Sequence, residues 1–117
     1  MLVEAAGTAN QFTLPWSATH EFSFLHVDDS ASIFVELALA PKLRWTVYNS
    51  GGEFMTMQQL ADLAAPLCRL EIDFAEPGQQ LAHCSRLGWH RLRSELPVTR
   101  RSCREWLRVE LERAGKL

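Results

Sequence analysis

Residues 21–37, EFSFLHVDDSASIFVEL, change period midway: Phe22, Phe24 and His26 alternate with Ser23, Leu25 and Val27, and from Ala31 onward Ile33, Phe34, Leu37 and Ala38 recur at helical spacing. A period of two puts alternate side chains on opposite faces of a strand, whereas a period of 3.6 gathers them on one side of a helix. The stretch therefore reads as a strand feeding a helix, with Asp28 and Asp29 at the joint. A carboxylate at that place accepts hydrogen bonds from unpaired first-turn amides and lies at the positive end of the helix dipole, worth about 1 kcal/mol. Both aspartates are expected to be structural, one capping the helix and the other bonding within the turn or to a basic group outside the chain. Neither has an acid/base partner at defined spacing, so no catalytic residue is expected here.

Working outward, QFTLPW (11–16) is a short strand stopped by Pro15, and Pro41 ends the helix on the other side. WTVY (45–48) has strand composition and runs into the turn residues NSGG. Thr56 and Gln59 form a capping box that opens a second helix, with Leu60, Leu63, Ala64 and Leu67 on its apolar face and Pro66 in its last turn. RLEIDF (69–74) alternates Leu70, Ile72 and Phe74 with Arg69, Glu71 and Asp73, the pattern of a half-buried strand. AEPGQQ is a loop, and helical turns are expected between Ser85 and Glu95. A second capping box, Ser102 with Glu105, opens a last helix carrying Cys103, Leu107, Leu111 and Ala114 on one face and closing at Gly115. Alternating strands and helices give an α/β or mixed α+β class: a small sheet of short strands with three to four helices, in a single domain spanning 1–117.

With 117 residues, 47% of them hydrophobic, the chain has material for one core. Its net charge of −2 exerts no general pull on nucleic acid or anionic membrane. The charge is uneven, however. Met1 to His83 hold ten acidic and three basic residues, and Cys84 to Leu117 hold four acidic and nine basic. The arginine-rich last helix also carries Glu105, Glu110 and Glu112, so a solvated face with local ion pairs is expected, and no nucleic-acid partner. Cys68, Cys84 and Cys103 make neither an even disulfide set nor a metal knuckle, which suits reduced thiols in a cytoplasmic protein. His20, His26 and His83 match no zinc spacing with those cysteines, and no metal is expected. The start, MLVEAAGTAN, does not read as a signal peptide, and no run approaches the ~20 apolar residues of a membrane helix. Trp16, Trp45, Trp89 and Trp106 are expected in core or interface packing.

Taken together, FSFLHVDDSASIFVELALAPKLRWTVYNSGGEFMTMQQLADL (22–63) resembles the extended short-chain dehydrogenase/reductases, the NAD-dependent epimerase/dehydratase family. These carry an aromatic strand ending in HVDD, an apolar helix, a strand ending in YN-x-G and a capped helix. EIDFAEPG (71–78), HRLRSEL (90–96) and SCREWLRVEL (102–111) resemble the family's closing segments. The resemblance runs from about Gln11 to Arg113 and corresponds to the C-terminal, substrate-binding part of such enzymes. It implies that a full-length relative binds NAD(P) and oxidises or epimerises a small hydroxylated substrate.

The cofactor turn of that family needs a GxxGxxG or GxGxxG spacing, which the glycines at 7, 51, 52, 78, 88 and 115 never adopt. Its Tyr-x-x-x-Lys pair is also absent: Tyr48 is the only tyrosine, and the lysines are Lys42 and Lys116. The chain alone is thus expected to bind no cofactor in the family manner and to be inactive, either as part of a longer enzyme or split gene, or as a stand-alone small-molecule or protein interaction module. Where the family places diphosphate-binding arginines, this sequence has Phe22 and Glu76, which disfavours a nucleotide-diphosphate sugar. The resemblance therefore puts Trp16, His20, Phe22 and Glu76 against a less charged small substrate. It also implies that WTVY borders a sheet supplied from elsewhere, so a homodimer or a partner protein is expected at the strand around Val47.

Overall fold

The computed structural model describes residues 1–77 and 87–117. In chain order they form α1 (Leu2–Ala5), β1 (Gln11–Leu14), β2 (Glu21–Phe24), α2 (Val27–Leu39), β3 (Glu53–Thr56), α3 (Met57–Cys68), β4 (Glu71–Phe74), α4 (His90–Glu95) and α5 (Cys103–Arg113). The class is mixed α/β, as the alternation of periods indicates. The strands make two two-stranded sheets instead of one. β1 runs parallel to β4, from Gln11 opposite Glu71 to Leu14 opposite Phe74. β2 runs antiparallel to β3, from Glu21 opposite Thr56 to Phe24 opposite Glu53.

A two-stranded sheet cannot stand alone in water, so the helices must supply the core. Both capping boxes form. Thr56 Oγ1 accepts the Gln59 N–H at 3.2 Å while the Gln59 side chain accepts the Thr56 N–H at 2.9 Å; Ser102 and Glu105 repeat the exchange at 3.2 and 2.7 Å. With their starts fixed, α3 and α5 pack together through Ala64, Cys68, Leu107 and Leu111. Met55, Met57, Leu60, Ala61 and Cys103 continue this core toward β1 and β2. Trp106 and Ile72 touch both parts. A smaller cluster of Ile33, Leu92 and Val98 fastens α2 to α4 and the segment after it.

α3 passes through the exposed Pro66 and stops at Arg69, which takes the left-handed conformation (φ 55°, ψ 47°) and donates its N–H to the Ala65 carbonyl. An L-residue there costs about 1–2 kcal/mol, and glycine avoids most of that cost at some expense in unfolded-chain entropy. Arg69→Gly is expected to raise stability by about 0.5 kcal/mol in chemical denaturation; a loss of stability would contradict this account of the helix end.

Several expectations are corrected. WTVY is not a strand: residues 45–48 are irregular, held by the Tyr48 hydroxyl bonding to Glu95 and by the Trp45 N–H donating to that hydroxyl at 3.0 Å. Strand composition expresses itself only when a neighbouring strand offers a ladder. β3 forms instead, eight residues further on, where Gly51 (φ 70°) turns the chain against Trp89 and a Cβ would lie 2.8 Å from that residue's own. α2 begins at Val27 and not near Ala31, and its N-cap is His26, whose Nδ1 accepts the Asp28 N–H at 3.1 Å. Asp28 and Asp29 are thus first-turn residues and not caps. Ile33 faces the core, but Phe34 and Ala38, expected on the same buried side, are exposed. β2 ends at Phe24, so His26 leaves the aromatic strand face for the cap. The start of the expected Ser85–Glu95 helical region, with His83, Cys84, Gly78 and Gln79, lies outside the described residues, and α4 forms its later part.

Candidate functional site

β1 and β4 are parallel and end level, Leu14 opposite Phe74, with the Ala75 N–H donating to the Leu14 carbonyl at 2.9 Å. Trp16 and Glu76 are each two residues beyond that pair, so they leave the sheet at the same end. Ligands of parallel α/β sheets gather outside the carboxyl ends of their strands. The loop that follows β1 is pinned in place: His20 N–H donates to Ser17 at 3.1 Å, and the Ala18 and His20 carbonyls accept the Gln58 and Met57 N–H groups at 2.9 and 2.8 Å. α3's N-terminus thereby holds the loop.

That loop brings three of the four expected ligand-facing side chains into ring contact. The Trp16 and Phe22 centroids are 5.0 Å apart at 72°, edge to face, His20 is 4.5 Å from Phe22, and Trp16 stacks on His20 at 6.4 Å. Phe24 extends the row, 6.0 Å beyond Phe22. Phe22 and Phe24 back onto the core while Trp16 is exposed, giving an aromatic ledge centred on Phe22 with the His20 imidazole beside it. Such a ledge can stack on a small apolar or polyol carbon face and offer one nitrogen to a hydroxyl. Glu76 is exposed at the same strand end.

HVDD has a different role. Asp29 is buried and accepts the Arg101 N–H at 2.7 Å. Asp28 accepts from Arg113 at 2.8 Å, and His26 Nε2 faces Glu110 at 2.9 Å. Since Nδ1 already accepts the Asp28 N–H, the ring proton sits on Nε2 and is donated to Glu110. The basic partners lie within the chain, 72 and 85 residues away, and the network ties the start of α2 to α5 and the segment before it. Beside it, Phe24, Leu25, His26, Val27, Trp106 and Glu110 line an open cleft of about 300 Å³. Nothing in the local sequence indicates this cleft, because α5 contributes half of its polar lining.

The Arg113 guanidinium holds the Asp28 carboxyl below its ordinary range, and the hydrogen bond from His26 does the same for Glu110, with help from Arg113. A depressed carboxylate stabilises the fold above its unfolded pKa, and that contribution disappears as the pH falls through the folded value. Stability should therefore fall on acidification below about pH 5, and Asp28→Asn and Glu110→Gln should each flatten the fall. Identical acid profiles for the variants and the parent, measured as urea midpoints against pH, would rule the network out as the cause.

Tyr48 and the two buried thiols, Cys68 and Cys103, are shifted away from activation. Tyr48 has its phenol pKa raised, first by partial burial and then by its bond to Glu95. That is the opposite direction from a phenol exchanging protons near neutrality. Burial, with Glu53 nearby, pushes the Cys103 thiol up to about 12, and burial also raises Cys68. In a Cys84→Ser variant, iodoacetamide labelling of the native protein should be on the order of a hundredfold slower than in denaturant, since only the thiolate reacts. Rapid native labelling of either site would contradict this burial. Among the described residues no group of three or more His, Cys, Asp and Glu side chains could hold a metal ion.

A dinucleotide in the family manner needs open amides at a helix N-terminus. Among the described residues, several of these amides are engaged: in α2 the Asp28 N–H by His26, in α3 those of Met57, Gln58 and Gln59 by the His20 and Ala18 carbonyls and Thr56, and in α5 those of Cys103 and Glu105 by Glu53 and Ser102. No helix among the described residues is long and apolar enough to cross a membrane.

The architecture is that of a portion of a GalE-like dehydrogenase fold. The structure matches that of a GalE-like L-threonine dehydrogenase from Cupriavidus necator, in its holo form, with a TM-score of 0.79 at 18% sequence identity. The match covers 94% of this chain and 39% of that one, so this chain spans well under half the length of the dehydrogenase. No family model and no curated protein matches the sequence.

Proposed function

We propose that this chain is the substrate-facing, C-terminal part of an NAD(P)-dependent epimerase/dehydratase-like protein, and that it is not catalytic by itself. The observation that supports the reading most is the aromatic ledge of Trp16, His20 and Phe22 at the carboxyl ends of β1 and β4, within a fold matched by a portion of a GalE-like dehydrogenase. In this reading Trp16 and Phe22 bury the carbon face of a small hydroxylated compound, His20 bonds a hydroxyl, and Glu76 flanks the entrance. The neighbouring dehydrogenase is named for L-threonine, a short hydroxylated molecule, which makes threonine the first probe to use. Hydride chemistry would come from a nucleotide-binding portion outside these 117 residues, and the protein would work in a reducing, cytoplasmic setting.

Tryptophan fluorescence of the purified chain titrated with L-threonine, other short hydroxy acids and polyols tests the reading. A saturable change that disappears in Trp16→Ala and in His20→Ala is expected, together with no saturable response to NAD or NADP. Turnover by the chain with only NAD(P) and a hydroxy compound added, or ligand responses unaffected by both variants, would overturn it. A non-catalytic interaction module is the second reading, favoured by the apolar outer side of α2.

A further inference from the structure

The cleft beside His26 has apolar walls and a charge set into them. Phe24, Leu25, Val27 and Trp106 make its sides, and among the described residues Glu110 is the one charged side chain in a lining completed by His26. Its volume of about 300 Å³ stands at the small end of the ~300–1,000 Å³ that ligand pockets span, which suits a compact ligand.

Among the described residues, the charge of the network behind the cleft does not balance. Asp28, Asp29 and Glu110 carry three negative charges, and Arg101 and Arg113, at 2.8 to 3.9 Å from them, carry two positive ones. His26 does not supply the third. Its Nδ1 accepts from two donors at once, the Asp28 N–H at 3.1 Å and the Arg101 guanidinium at 3.3 Å, so that nitrogen carries no proton and the ring is neutral. One negative charge is left over. It can be reached at Glu110, which is 32% exposed. Both hydrogen bonds that Glu110 receives, from His26 Nε2 at 2.9 Å and from Arg113 at 2.8 Å, fall on Oε1, which leaves Oε2 for a donor from outside the network. Trp106 lines the same space, its ring 6.4 Å from that of His26. An aromatic face attracts a cation, and a carboxylate beside it adds an ion pair.

We propose that this cleft binds a small organic cation, a primary ammonium on a short apolar stem, with the ammonium on Glu110 Oε2 and the stem against Phe24, Leu25, Val27 and Trp106. A neutral alcohol of the same shape gains only the apolar contact. An anion meets the unbalanced carboxylate and is rejected. Phe24 is the one residue that the cleft shares with the aromatic row, and neither Trp16 nor His20 lines it. The assignment therefore stands whether or not the ledge takes a hydroxylated substrate.

n-Butylammonium, n-butanol and butyrate share a stem and differ in charge, and the indole N–H resonance of Trp106 in isotope-labelled protein, assigned by its loss in Trp106→Phe, reports their binding. n-Butylammonium should move the resonance saturably, n-butanol should bind about tenfold more weakly, and butyrate should not bind. Glu110→Gln keeps an acceptor for His26 and should bring n-butylammonium to the level of n-butanol. Val27→Lys changes an exposed wall of the cleft. It should supply the missing charge from within the chain and abolish n-butylammonium binding, a readout that survives if Glu110→Gln folds poorly. Trp16→Ala should leave the binding unchanged, which separates the cleft from the ledge. No response to n-butylammonium, an equal response to n-butanol, or a response lost in Trp16→Ala would overturn the assignment. So would tighter binding of Nα-acetyl-lysine methylamide than of n-butylammonium, which would make the cleft a seat for a lysine side chain and not for a free amine.

Discussion

Truncating Leu107 to alanine should cost about 3 kcal/mol and lower the thermal midpoint by roughly 10–20 °C. Leu107 has no exposed surface and belongs to the core cluster that α5 shares with α3, beside Ala64, Cys68 and Leu111. The capped ends of both helices hold their backbones in place, so the cavity cannot close by a simple shift of either helix. Because neither sheet has a third strand among the described residues to hold it, the damage should spread beyond α5: the far-ultraviolet signal of strand and helix should be lost in one transition. A loss below about 1 kcal/mol, or two separate transitions, would show that the sheets do not depend on this contact.

The second large effect is expected at the acidic joint. Asp29→Ala removes the acceptor for the Arg101 N–H, in a place where water cannot readily replace it. Leaving a buried donor unpaired costs about 2 kcal/mol, and the start of α2 should loosen from the segment that leads into α5. Asp28→Ala removes a partly exposed partner of Arg113 and should have a smaller effect that salt screens further. Urea unfolding of both variants at low and high ionic strength separates the two. Equal losses, equally sensitive to salt, would mean that Asp29 acts only as a surface charge.

Local signals were legible in the sequence and distant ones were not. The capping boxes at Thr56 and Ser102 and the alternation in RLEIDF need only neighbours within a few residues, and each has its expected element. WTVY has the composition of a strand, but Tyr48 and Trp45 bond to a side chain and to each other, and no neighbouring strand pairs with them. EFMT is too short and too mixed to stand out, yet it pairs with β2 once Gly51 turns the chain. α2 is apolar on more than one side, so its periodicity marked a helix without deciding which side would be buried. The partners of Asp28 and Asp29 come from Arg113 and Arg101, contacts that no local pattern encodes. For the ledge, the resemblance supplied Trp16, His20 and Phe22, and the ring contacts follow from the tight loop on α3; the cleft beside His26 needed α5 in place to be seen at all.

The parallel pairing of β1 with β4 bears on how the protein is made. Gln11 leaves the ribosome sixty residues before its partner Glu71, a wait of about 3–12 s at ordinary synthesis rates. During that interval β1 lacks its β4 partner, while β2 and β3 can zip together as soon as Thr56 emerges. β1 is therefore made well before the strand that seats it, and slowing translation just before the codon for Glu71 should prolong the window in which a nascent-chain chaperone can hold it.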